Sequence, residues 1–124
     1  MRRFVFAICL SVAMAILIAA GCGRGAAPKP VTGSEIPVQL DKLFGKAPEE
    51  ARLLVGQAKS ALRANDLSGA WVALQTLSEQ KELTKEQRQF LASAIVTIGA
   101  EINKAGEQGD AQAQEMQRMH RLSK

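Results

Sequence analysis

The chain has 124 residues, 16 Lys and Arg against 12 Asp and Glu, two cysteines, one histidine, one tryptophan and no tyrosine. That length suits one small domain, and a net charge of +4 is too slight to read as a nucleic-acid footprint. A lone histidine argues against a histidine metal cluster, and one tryptophan without tyrosine leaves no aromatic platform for stacking sugars.

Residues 1–22 form the first unit. Arg2 and Arg3 precede an almost unbroken apolar run from Phe4 to Ala20, in which Ser11 is the only hydroxyl. Small residues then close the run before a cysteine: Ile18-Ala19-Ala20-Gly21-Cys22. This is the layout of a secretory signal peptide. Its ending resembles the lipobox of bacterial lipoproteins, with Ala19 where that family prefers leucine. The resemblance implies a thioether-linked lipid on Cys22, which becomes the mature N-terminus after residues 1–21 are removed. Two alternatives stay open: ordinary cleavage near Gly21, and no cleavage. The seventeen residues from Phe4 to Ala20 lie at the lower edge of the roughly 17–25 that span a bilayer. Gly23 rather than Asp after the cysteine implies, by that family's sorting habit, outer-membrane delivery in a cell with two membranes.

Removing residues 1–21 takes away Arg2 and Arg3, so fourteen basic residues face twelve acidic ones and the charge drops to +2. Cys9 leaves as well, and Cys22 carries the lipid, so neither a disulfide framework nor a cysteine metal site is expected.

Residues 22–47 read as a tether. Pro28, Pro30 and Pro37 fall inside it, with Gly23, Gly25, Gly33 and Gly45, and such a stretch is expected to be extended. Ile36, Val38 and Leu40 alternate as in a short edge strand, whereas Leu40 to Phe44 reads as one helical turn. The last ten or so residues are expected to dock on the folded part.

Residues 48–124 are expected to form an all-α domain, a small bundle of three to four helices built on an antiparallel hairpin. Pro48 suits a first helical position, and Glu49-Glu50 complements the positive end of the helix dipole. Ala51, Leu54, Ala58, Ala61 and Leu62 then make one face. Asn65-Asp66 is a turn, with Asp66 placed to cap the next helix. That helix turns Leu67, Ala70, Leu74 and Leu77 inward, with Trp71 on the margin. Thr84 and Gln87 have the spacing of a capping box. They open a helix with a stripe of Leu91, Ala94, Ile95, Ile98, Ile102 and Ala105, widened by Phe90 and Val96. Gly99 weakens it by roughly 1 kcal/mol relative to alanine. Gly106 and Gly109 end it. Asp110 starts a final segment to Leu122, with Ala113, Met116 and either Met119 or His120 inward, and its thin apolar face predicts fraying or ordering by a partner.

Residues 51–84 resemble a single tetratricopeptide motif. Leu54 stands at the first bulky position, Ala58 and Ala70 at the two small ones, Asp66 at the turn and Leu74 at the following bulky one. Gln57, Ala61, Leu77 and Glu82 depart from the pattern. The resemblance implies a protein–protein interaction scaffold.

Catalytic constellations are not expected. His120 is read as a solvated side chain, Glu49-Glu50 as a first helical turn, and Met116 and Met119 as packing residues rather than soft-metal ligands. No phosphate loop or nucleophile triad occurs, so no enzyme activity, cofactor, metal or small-molecule substrate is predicted. The reading is a membrane-anchored envelope lipoprotein, facing the periplasm or exterior, whose helical domain binds or organises another protein. A self-associating structural component of the envelope is the alternative. Lipidation falls to Cys22 and a partner contact to Trp71. On a helical wheel Trp71 lies about 40° beyond Leu67, where it serves either as a half-buried lid or as an exposed anchor, the lid being expected.

Overall fold

Five helices make up the computed structural model, which describes residues 29–124: α1 (Ile36–Phe44), α2 (Glu49–Arg63), α3 (Leu67–Ser78), α4 (Lys85–Glu107) and α5 (Ala111–Leu122). No strand occurs among the described residues. The signal segment, Cys9, Cys22 and Pro28 lie outside them. The architecture is an all-α bundle: among the described residues, 48–124 hold four helices, within the three to four expected from sequence, and a fifth precedes them.

The added helix is α1, which occupies the stretch read as tether. Ile36, Leu40 and Phe44 recur every fourth residue and are each at most 1% exposed. The alternation of Ile36, Val38 and Leu40 is therefore not that of a strand: Val38 points to solvent at 68% exposure. Pro37 sits in the first turn, where its missing amide hydrogen costs nothing. Full burial of each of the three large side chains contributes about 1.5–3 kcal/mol, enough to outweigh a short helix's poor intrinsic stability. A Thr32–Glu35 turn leads into α1. The Glu35 carboxylate accepts from the Thr32 amide at 2.9 Å and from its hydroxyl at 2.7 Å. Lys59 of α2 reaches back to Asp41 at 2.6 Å.

Local signals set the remaining helix ends. Asn65 takes a left-handed φ of 55°. The amides of Asn65 and Asp66 return to the carbonyls of Leu62 and Ala61, the pairing that satisfies the open carbonyls of a helix end. Gly109, at φ 93°, ends α4 in the same way, with Gly109 and Asp110 bonded to Gly106 and Ala105. Each reversal is followed at once by an N-cap. Asp66 accepts from the Gly69 amide at 2.9 Å, and Asp110 from the Ala113 amide at 2.9 Å. The Thr84–Gln87 capping box is present, with bonds of 2.9 and 3.1 Å.

α4 carries the centre of the core. Leu91, Ala94 and Ile98 are inaccessible, and Phe90 and Ile102 nearly so. Ile95 and Ala105 are only partly buried, and Val96, expected to widen the stripe, is 71% exposed. Two residues at about 100° each put Val96 some 160° from Ile98, on the far side of the helix. In α2 the buried line is Ala51, Val55 and Ala58, while Leu54, Ala61 and Leu62 are half-buried. α2 packs on both α1 and α3, so its buried sector is shifted toward Val55. In α3, Ala70, Leu74 and Leu77 are inaccessible, and Ala73 joins them. Leu83, in the connection to α4, is also buried.

Candidate partner-binding site around Trp71

α5 folds back along the second half of α4. Only Ala113 of α5 is fully buried, and polar bonds supply what apolar burial does not. Gln114 donates to the Gly106 carbonyl at 3.1 Å. Gln117 donates to the Asn103 carbonyl at 3.3 Å and to its side-chain oxygen at 3.1 Å. Gln112 reaches Asp66 at 3.3 Å. A Cβ on Gly106 would stand 2.7 Å from the Gln117 amide nitrogen, so that glycine permits the close approach of α5.

This docking leaves an open concavity of about 460 Å³ between α3, α4 and α5, one of several surface recesses of comparable or larger volume. Trp71, Ile102 and Met116 give it apolar walls, and Gly99 completes it with the polar Asn103, Gln117 and His120 and the charged Glu107 and Arg121. Trp71 is half-buried and packs against the core. Its indole nitrogen passes over Gly99, where an added Cβ would meet it at 3.7 Å. The His120 ring stands edge-on to the indole, with centroids 6.1 Å apart and planes at 87°. That is a favoured arrangement for aromatic pairs.

The sequence-derived residues are thus distributed as follows. Trp71 has one flank on the core and one on the concavity, so lid and lining are two sides of one residue. Of the two candidates for the inward position in the last turns of α5, neither is buried: Met119 is 53% exposed and His120 is also exposed. His120 nevertheless meets Trp71, because α5 is held by its glutamines rather than by an apolar stripe. Met116 is partly buried and packs against the core. Cys22 lies outside the described residues. The glutamines of α5 were not singled out by pattern, since glutamine on a helix ordinarily marks a solvated face; Gly106, expected to end α4, instead lies inside it, where α5 approaches.

Glu107 and Arg121 bring one charge of each sign to the recess. On α5 the Arg118 guanidinium bonds Glu115 at 2.8 and 2.9 Å and holds its carboxyl below the ordinary carboxylate range. Among the described residues no cluster of three or more His, Cys, Asp or Glu is placed to hold a metal ion. None of their helices is long and apolar enough to cross a membrane. Comparison with protein-family models, with curated proteins and with solved structures finds no match.

Proposed function

We propose that the chain is a bacterial envelope lipoprotein, anchored by lipid on Cys22, whose helical bundle docks another protein at the Trp71 concavity. The observation that carries the docking reading is Trp71 itself. A half-exposed indole beside Met116 and His120 in a recess is the kind of group that anchors binding hot spots. The anchoring reading rests on residues 2–22 alone. In it α2 and α3 form an antiparallel hairpin of the tetratricopeptide kind, joined by the three residues 64–66, with Ala58 and Ala70 at the crossing. The recess lies where α3 meets α4 and α5, and Trp71 is the residue α3 contributes to it.

Metabolic labelling with a fatty-acid analogue tests the anchor. Wild-type chain should take up label, and Cys22→Ala should take up none and accumulate as precursor or soluble product. Equal labelling of the two would overturn the lipoprotein reading.

A further inference from the structure

The solvent face of α4 is symmetric in position, and matched in chemistry, about Val96, which is 71% exposed. Four residues out stand Ala92 and Ala100, seven out Gln89 and Asn103, eleven out Lys85 and Glu107. All six are exposed. At about 100° per residue they fall within about 40° of Val96, a single seam about six turns long. Steps of four, seven and eleven are those of a coiled-coil seam, and here they run alike in both directions.

A second copy laid antiparallel on this face brings the two Val96 side chains together on a two-fold axis. Each residue then meets the one equally far out on the other side, and every contact is made twice. Ala92 meets Ala100, and their small size lets the helices come close. Gln89 meets the Asn103 amide, and Lys85 meets Glu107. A further ion pair forms on the flank. Glu86 and Lys104 stand about 80° to the same side of Val96, ten and eight residues out in opposite directions. The two-fold axis brings them to one edge, at heights about 3 Å apart. None of these four charged side chains is ion-paired within the described residues. Arg88 falls on the edge away from Lys104 and is held by the Leu83 carbonyl at 2.9 and 3.1 Å.

We propose that the chain pairs with a second copy of itself through this face, as an antiparallel contact of two α4 helices centred on Val96. Charge selects the occupant and its direction. With a cation at one end of the seam and an anion at the other, the face complements its own reversed copy, whereas a parallel copy would set Lys85 on Lys85. Asn103 and Glu107 also line the Trp71 recess, so pairing competes for them with the docking proposed above. The pairing does not depend on that docking reading; only the competition does. A crosslink across the seam is recognisable as a product of twice the chain's mass, unlike an adduct to a recess partner.

The test uses the full chain in detergent, at less than one chain per micelle, with Cys9→Ser, Cys22→Ser and one new cysteine. Val96→Cys should join two chains by a disulfide under mild oxidation, because a residue on the two-fold axis faces its own copy. Val38→Cys, on α1 and 68% exposed in the wild type, should stay mostly unlinked. In the Val96→Cys chain, Lys85→Glu or Glu107→Lys alone should slow linking on the order of tenfold, since each turns two attractions into repulsions. Both together should restore it, because the exchanged charges are again complementary. Glutamate at a helix start and lysine at its end suit the helix dipole, so neither change threatens the fold. Equal linking at positions 96 and 38 would overturn the proposal. So would single exchanges that leave the rate unchanged, or a double exchange that fails to restore it. Because Cys22 is replaced throughout, the outcome is independent of the lipoprotein reading.

Discussion

Gln87 donates its side-chain amide hydrogen to the Leu43 carbonyl across 2.8 Å, joining the last turn of α1 to the first turn of α4. The same side chain accepts from the Thr84 amide at 2.9 Å, so one residue both caps α4 and fixes α1 against it. Gln87→Ala should cost about 1–2 kcal/mol, the sum expected for a lost cap and a lost partly buried hydrogen bond. Chemical denaturation checks this: a midpoint equal to that of wild type would show that the Leu43 contact contributes nothing.

α1 is part of the core, and its loss should be felt throughout the bundle. Leu40→Ala removes a side chain with no solvent exposure and should destabilise by about 2–5 kcal/mol. A chain beginning at Pro48 would expose what Ile36, Leu40 and Phe44 cover. It should melt well below the full chain in a circular-dichroism scan. Coincident melts would mean that α1 is only an appendage.

Two glycines should respond to alanine with opposite sign. A Cβ at Gly56 of α2 meets nothing within 4 Å, so Gly56→Ala should stabilise by about 0.5–1 kcal/mol through helix propensity alone. At Gly106 the added methyl meets Gln117 at 2.7 Å and must push it away from Asn103. Gly106→Ala should therefore gain less or lose outright, and its damage should show as faster amide exchange in α5. Equal gains at both positions would contradict the close packing of α5 on α4.

Glu35 makes a pH prediction. Hydrogen bonds from the Thr32 amide and hydroxyl hold its carboxyl below the ordinary value. A folded-state value below the unfolded one gives a contribution present above the ordinary carboxylate range and lost as the pH falls through the lowered value. An NMR titration should place the Glu35 midpoint below that of a free glutamate, and Thr32→Val should raise it by removing the hydroxyl. An unchanged midpoint in Thr32→Val would assign the whole effect to the backbone amide.

Much of this architecture was legible in the sequence, because the strongest signals are local. Asp66, Thr84 with Gln87, and Asp110 announce helix starts through short-range bonds that need no tertiary context. Leu91, Ala94 and Ile98 repeat at helical spacing. α1 was hidden because Pro37 and the flanking glycines carry the composition of a linker, while its three core residues become intelligible only against α2 and α4. Val55 was missed for a related reason, since a helix packed on two neighbours buries a sector that a one-face wheel misplaces. The Trp71 recess was half legible. A wheel places the indole at the margin of α3, but the partner ring of His120 comes from 49 residues away. It arrives there by way of glutamine bonds that leave no apolar period to read.

The central claim, an anchored bundle that docks a partner at Trp71, is tested most directly by photocrosslinking in living cells. A photoreactive amino acid replaces Asn103 at the recess or, as control, the exposed Gln89 toward the other end of α4. Trp71→Ala, which should cost about 2 kcal/mol as a half-buried large-to-small change, is examined at a temperature where it remains folded. The account predicts one discrete crosslinked species from position 103, absent from position 89 and lost in both Trp71→Ala and Cys22→Ala. The same adduct from position 89, or an adduct at 103 that survives Trp71→Ala, would contradict it.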